Sequence, residues 1–210
     1  MIVKKVSNVG GGAKGGRIGR LVNYICHPEI SNAQEKCLYN GFVGFLSDEI
    51  EAQKAEMIAL SQEAVRSKDP INHYVLSWHE GEIPSTKQVD QAVNIFMDEL
   101  GLKGHQGAYA LHGDTDNVHL HIAINRVNPD TEKAVKINRG FDIEAAHKAI
   151  ARIEHEQGWQ REHRGRYEVL ENGEVAREYK EALERQPGQR QRDMENRTGE
   201  KSAERIGIER

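Results

Sequence analysis

Three histidines, His112, His119 and His121, lie inside the ten-residue run HGDTDNVHLH. Neutral imidazoles each offer one lone pair, and three of them protonated together would repel, so a shared divalent metal is the economical use of the set. Three protein ligands leave coordination positions open, which is the pattern of a catalytic rather than a structural site. Asp114, Asp116 and Asn125 are candidates to orient the rings from behind. One histidine on a half-exposed sheet needs no such explanation. Three on one face, out of ten in the chain, do.

The elements that must position them are two strands. Residues 107–112 and 119–127 alternate with period two, and Gly113-Asp114-Thr115-Asp116-Asn117 between them is turn chemistry. An antiparallel hairpin follows. A symmetric turn sets His112 opposite His119 and Ala110 opposite His121. Tyr109, Leu111, Leu120, Ile122 and Ile124 then share one face, and the three imidazoles share the other with Ala108, Ala110, Ala123 and Asn125. Cross-strand partners have Cβ atoms about 5 Å apart, so the imidazoles converge. The apolar face is expected to pack on helices and the histidine face to open to a ligand.

The chain has 210 residues, enough for one domain with some excess, and is 37% hydrophobic and 30% charged. No apolar run approaches the ~20 residues of a membrane span, and MIVKKVSNVGGG does not read as a signal peptide. Two cysteines, Cys26 and Cys37, suit a reduced cytoplasmic setting as small buried hydrophobes. The net charge of −4 lends nucleic-acid binding no bulk support. A local basic patch remains, because Lys4, Lys5, Lys14, Arg17 and Arg20 all precede the first acid in the chain.

In chain order, residues 1–9 read as a strand, GGGAKGG as a flexible loop, and Arg17 to Ile25 as one or two helical turns. Position alone would make Tyr24 a core aromatic. Residues 38–46 read as a short strand or loop, and a helix opens at Ser47-Asp48-Glu49 and runs to about residue 67. Residues 71–79 form a strand rich in β-formers. Ser85-Thr86 caps a helix over about 86–100, ended by Gly101. After the hairpin, 134–137 reads as a brief strand and 142–157 as an amphipathic helix. From residue 161 mixed charge dominates, which predicts solvated helix or disorder. The result is an α+β fold, a central antiparallel sheet with helices mainly on one face. It occupies 1–160, and 161–210 is a charged tail or linker.

Once these residues are assembled, HGDTDNVHLHIAIN (112–125) resembles the third motif of the conjugative relaxases, the HUH endonucleases, in their MobP-type branch. The form is H-x-D-x-x-N-x-H-x-H-x-x-x-N, and every fixed position is filled. LVNYICHP resembles the first motif, with Tyr24 at the nucleophile position. HYVLSWHEGEIPS (73–85) resembles the second, a strand running into Ser77 and an acidic loop. The likeness spans roughly residues 1–160, and three motifs in family order are far more specific than HxH alone.

The resemblance implies a site- and strand-specific DNA nicking enzyme acting at a plasmid or integrative-element origin of transfer. Tyr24 would attack the scissile phosphate, forming a 5′-phosphotyrosyl bond and freeing a 3′-hydroxyl. His112, His119 and His121 would hold a divalent ion, Mg or Mn, with Zn as a further candidate. Asp114 would accept a proton from Tyr24 or orient a histidine. Glu82 is a second candidate for that work, set against an ordinary loop acid. Phosphate contact would come from Lys14, Arg17, Arg20, Lys136 and Arg139, or from backbone amides. Implied partners are single-stranded DNA, an origin duplex or hairpin, relaxosome accessory proteins, a coupling protein and a type IV secretion system. The implied location is the bacterial cytoplasm, with passage to a recipient cell on the DNA. Family members are usually longer, which makes the charged tail look like a junction to further domains.

Two other readings stand beside this one. A rolling-circle replication initiator of the same superfamily commonly places its tyrosine after HxH, where only Tyr167 and Tyr179 are available here. A cupin-like three-histidine metalloprotein would want an acid shortly after HxH, and residues 122–127 supply none.

Overall fold

The computed structural model describes residues 1–7, 11–26, 37–135, 139–163 and 165–178, with the side chains of the last helix described from residue 142. The chain divides into a compact unit Met1–Arg177 and a second, Glu178–Arg210, of which only Glu178 is described.

Seven strands and four helices are described: β1 (Ile2–Val6), α1 (Lys14–Cys26), β2 (Cys37–Val43), α2 (Ile50–Glu63), β3 (Ile71–Ser77), α3 (Thr86–Glu99), β4 (Gly107–His112), β5 (His119–Asn125), α4 (Arg139–Gln157), β6 (Tyr167–Val169) and β7 (Val175–Arg177). Five of the strands make one antiparallel sheet in the order β1-β3-β5-β4-β2. The histidine hairpin therefore supplies two of the inner strands, and Ile71–Ser77, with β-formers Ile71, Tyr74 and Val75, flanks it as β3.

The α+β class and central antiparallel sheet agree with the sequence reading. The helices, expected mainly on one face, instead divide two and two. One face carries Tyr74, Leu76, Tyr109, Leu111, Leu120, Ile122 and Ile124 against α3 and α4, through Val89, Val93, Phe96, Ala146, Ile150 and Ile153. The other carries Ala108, Ala110, Ala123 and Ile71 against Ile18, Val22 and Ile25 of α1 and Met57 of α2. Alanines on that face let α1 lie close to the sheet. The face they form is thus covered along most of its length, and the histidines lie at its remaining end.

Local chemistry sets the helix limits. Ser85 caps α3 with a full capping box, its side chain and that of Gln88 each bonding the other's backbone N–H. At α2 the N-cap is Glu49 with no side-chain cap bond. Glu56, about two turns further in, accepts instead from the N–H groups of Leu46 and Ser47 at 2.9 Å each. Gly15 on α1 faces α2: a Cβ there would meet Cγ2 of Ile58 at 3.0 Å.

Three features depart from the chain-order expectation, the first being that α1 begins at Lys14, inside the run read as a flexible loop. The brief strand at 134–137 reduces to a single bridge, Val127 to Ala134, with residues 136 and 137 outside the described residues. Within the stretch expected to be solvated tail, Tyr167–Val169 and Val175–Arg177 pair as a small hairpin that packs on α4. Asn172-Gly173 is its turn, with Gly173 at φ 83°.

Candidate active site

The pairing of β4 with β5 sets His112 opposite His119 and Ala110 opposite His121, the register expected from period two. The turn between them is tied down locally. Thr115 Oγ1 donates to Asn117 O at 2.7 Å, and Asn117 Nδ2 donates to Trp78 O at 3.1 Å, at the end of β3. The three rings then lie together, with centroids 4.5 Å apart for His112 and His121, 5.1 Å for His119 and His121, and 5.6 Å for His112 and His119. Among the described residues they are the one group of potential ligands this close, with one nitrogen from each all within 4.8 Å of one another. Nitrogens bound at about 2.1 Å to one tetrahedral ion stand roughly 3.4 Å apart, so small χ rotations would close the set.

Each ring has a second nitrogen engaged by protein. His112 Nε2 donates to Ile25 O at 2.9 Å. His119 Nδ1 lies 3.2 Å from Asn117 O and 3.3 Å from Thr115 Oγ1. His121 Nδ1 lies 2.9 Å from Nε2 of His73. The nitrogens remaining for a cation are then Nδ1 of His112 and Nε2 of His121, both buried, and Nε2 of His119. This donor set fits a divalent ion of borderline softness. Asp114 Oδ1 lies 3.4 Å from His119 Nε2, where it can orient that ring or add charge beside it.

Tyr24 comes to the same place from α1. It is half exposed, and its ring meets His121 edge-on at 5.6 Å and His112 at 6.3 Å. It is not the core aromatic that its position alone suggested. The phenol opens into a cleft of about 470 Å³ whose walls include Arg17, Arg20, Ile18, Leu21, His73 and His121. Arg17 donates to Gly12 O at 3.0 Å and also to Lys68 O, and Arg20 donates to Gly11 O at 2.8 Å. A guanidinium has five N–H donors, so these anchors leave others for an anion in the cleft.

Other sequence candidates sit elsewhere. Lys14 donates to Ser61 O at 3.1 Å and Ala64 O at 2.9 Å, closing the C-terminal end of α2 instead of facing the cleft. Glu82 accepts from the N–H of His79 at 3.2 Å and of Gln160 at 2.8 Å, which makes it a brace between the β3–α3 loop and the chain after α4. Asn125 is fully buried and orients no ring: its Oδ1 accepts from Val127 N at 3.0 Å, and Nδ2 donates to Gln106 Oε1 at 3.2 Å. Asp116 is exposed in the turn. Lys136 lies outside the described residues, as does the side chain of Arg139.

The sequence reading missed His73. It is 5% exposed, meets His121 edge to edge with centroids 5.2 Å apart, and has its pKa lowered to about 4, first by burial and then by His112. Its signal was present in the alternation of 71–77, which puts His73, Val75 and Ser77 on one face. What was not readable is that β3 pairs with β5, setting Val75 opposite His121 and Ser77 opposite His119. The cysteines are free thiols, Cys26 buried and Cys37 half-buried, and burial pushes Cys26 up to about 12.

Residues 24–159, from the cleft tyrosine to the end of α4, match the family described as relaxase, MobA/VirD2-like, nuclease domain. The chain belongs to that relaxase family. Protein MobA of Acidithiobacillus ferrooxidans is 75% identical over 154 residues, covering 73% of this chain and 38% of that protein. Two Escherichia coli proteins named TraI are 32% identical over 123 residues and 34% over 113, covering 58% and 52% of this chain. The chain spans only 16% and 14% of those two relaxase relatives. A solved structure described as "Molecular Basis of Vancomycin Resistance Transfer in Staphylococcus aureus" aligns with a TM-score of 0.41 at 10% identity, over 60% of this chain and 73% of its own, too slight to carry an argument. Among the described residues, no helix is long and apolar enough to cross a membrane.

Proposed function

We propose that this relaxase domain cuts one DNA strand at an origin of transfer and holds the cut end on Tyr24. The observation that carries the reading is the convergence of a half-exposed phenol, two arginines and three imidazoles on one cleft. Tyr24 Oη attacks the scissile phosphorus, the phosphorus–O3′ bond breaks, and the 3′-oxygen leaves as a hydroxyl after taking up a proton. A phosphotyrosine diester keeps the bond energy, and attack by a 3′-hydroxyl reverses the step.

A phenol with a pKa near 10 is a weak nucleophile at neutral pH, and positive charge nearby favours its phenolate. Arg17 and Arg20 supply that charge and grip the phosphate backbone. His112 Nδ1, His119 Nε2 and His121 Nε2 would hold a divalent ion, which as a Lewis acid offsets charge on the phosphoryl oxygens. Asp114, whose Oδ1 lies 3.4 Å from His119 Nε2, adds negative charge beside the place the ion would take. The apolar walls of the cleft, Ile18 and Leu21, suit an unstacked base next to the cut.

The wider reading follows from the relatives named MobA and TraI: mobilisation of a plasmid or integrative element, single-stranded and hairpin origin DNA as substrate, and accessory, coupling and secretion proteins as partners in the cytoplasm. Replication initiation in place of transfer would need a later tyrosine. Tyr167 is buried and donates to Glu144 on α4, which argues against it. The test is a labelled single-stranded origin oligonucleotide with Mg²⁺ or Mn²⁺. A denaturation-resistant adduct that disappears in Tyr24→Phe supports the reading, and an adduct that persists in that variant removes Tyr24 from the role.

A further inference from the structure

We infer that His73 is a positioning residue for the metal centre: from the neighbouring strand it accepts the Nδ1–H of His121 and so directs Nε2 of that ring to the cation. The inference rests on the three-histidine metal site of the proposed function, and it assigns a role to the first residue of the stretch that resembles the second motif.

The argument is one of completeness. A ligating imidazole usually donates its other ring N–H to a fixed acceptor, which sets both tautomer and ring angle. His112 has such an acceptor in Ile25 O at 2.9 Å, and His119 faces Asn117 O at 3.2 Å. At its Nδ1, His121 meets a side chain of the neighbouring strand, Nε2 of His73 at 2.9 Å. Two imidazole nitrogens at that separation share one proton between them. If His121 carries it, His73 accepts through Nε2 and Nε2 of His121 presents its lone pair. If His73 carried it, the proton of His121 would sit on Nε2, the atom that the cluster needs for a metal.

The scaffold holds the pair of rings in place. His73 is anchored in β3, which pairs with β5 over its full length from Ile71–Asn125 to Ser77–His119. Its ring is buried and lies 30° from the plane of His121 at a centroid distance of 5.2 Å, so the two near-coplanar rings meet edge to edge, nitrogen facing nitrogen. The three acceptors come from three elements: the end of α1, the hairpin turn and β3. Ligand geometry at this site is therefore distributed over the sheet and not confined to the motif.

The experiment uses the whole chain as wild type, His73→Leu and His73→Gln. Mn²⁺ affinity is read from the electron paramagnetic resonance of unbound Mn²⁺, and histidine tautomers from long-range ¹H–¹⁵N spectra of the metal-free protein. His73→Leu should bind Mn²⁺ about 10- to 100-fold more weakly, whereas His73→Gln, whose amide oxygen can accept the same N–H, should stay within about threefold. The wild type should show His121 protonated on Nδ1, and His73→Leu should shift it toward the Nε2 form. A folded His73→Leu with wild-type affinity overturns the inference. So does a wild-type His121 protonated on Nε2, a measurement that needs no variant. A His73-dependent Mn²⁺ affinity in a protein that forms no adduct with origin DNA would sink the nicking reading and leave this one standing.

Discussion

His112 donates Nε2–H to the carbonyl of Ile25 at 2.9 Å, and Ile25 is the residue after Tyr24. One imidazole thus belongs to two structures at once, the ligand cluster and the C-terminal turn of α1. The bond fixes the distance between the phenol and the rings by joining the elements that carry them. Tyr24 is held at the cluster by its neighbour's backbone, not by burial of its own side chain.

His112 should therefore matter to stability as well as to metal. Removing a fully buried ring that holds a helix end leaves Ile25 O without its donor, at a cost of about 1–3 kcal/mol plus the cavity. His119 is only partly buried, and its loss should cost roughly 1 kcal/mol or less. Urea unfolding of His112→Ala and His119→Ala in chelator should separate them by that margin. Equal midpoints would remove the tether from His112.

Tyr24→Phe should leave folding within ~0.5 kcal/mol of the wild type, because the ring keeps its edge contacts with His112 and His121. Covalent adduct with origin DNA should vanish while Mn²⁺ binding persists. Thermal melting, the adduct gel and a metal titration on one preparation check all three. Loss of metal binding would mean that the phenol belongs to the ligand set.

Stability should fall in acid through His73. Its folded pKa is lowered from 6.5 to about 4, so the unfolded chain takes up this proton first as pH drops. The contribution is complete above about pH 6.5 and is lost progressively toward pH 4, at most about 3 kcal/mol from this group. Urea midpoints of metal-free protein between pH 7 and 4 should decline, and His73→Gln should decline less steeply. A parallel decline would place the acid sensitivity elsewhere.

The hairpin and its histidine register were legible in the sequence because a two-residue period and a Gly-Asp-Thr-Asp-Asn turn leave little choice of pairing. The order of strands was not, since nothing local to β3 says that it lies beside β5. That is why His73 went unread. The histidine face was expected to open to a ligand, but Ala108, Ala110 and Ala123 on it mostly make room for α1. Lys14 and Glu82 looked functional by charge, and only the tertiary bonds to Ser61 O, Ala64 O and the N–H groups of His79 and Gln160 reveal them as braces. Charge density also hid the β6–β7 hairpin, although Asn172-Gly173 is strong turn chemistry.

Cysteine chemistry should report the same packing around α1. Burial pushes Cys26 up to about 12 and raises Cys37 as well, so little thiolate exists at pH 8. Iodoacetamide should label the native chain slowly, Cys37 before Cys26, and label both rapidly in denaturant. Mass spectrometry of the two tryptic peptides reads the order. Fast native labelling of Cys26 would show that the end of α1 opens in solution.

Asn125 is the last fixed position of the motif resembling that of the relaxases, and it sits in the same strand and on the same face as the ligands. That placement invites a role at the metal, yet its bonds run away from it. Oδ1 accepts from Val127 N at 3.0 Å as β5 ends, Nδ2 donates to Gln106 Oε1 at 3.2 Å before β4 begins, and its carbonyl lies 2.9 Å from Nδ1 of His105. The amide clamps the two hairpin strands at the end opposite the histidines. Asn125→Ala would strand the buried Val127 N–H and Gln106 side chain, costing about 2–4 kcal/mol. At a temperature where the variant is folded, its Mn²⁺ affinity should stay within about threefold of the wild type. Asn125→Asp keeps the acceptor for Val127 but buries a charge, so it should be at least as destabilising at pH 7 and recover partly as the carboxyl is protonated. Melting curves with a parallel Mn²⁺ titration decide the matter, and a tenfold loss of affinity in a folded Asn125→Ala would return this residue to the metal centre.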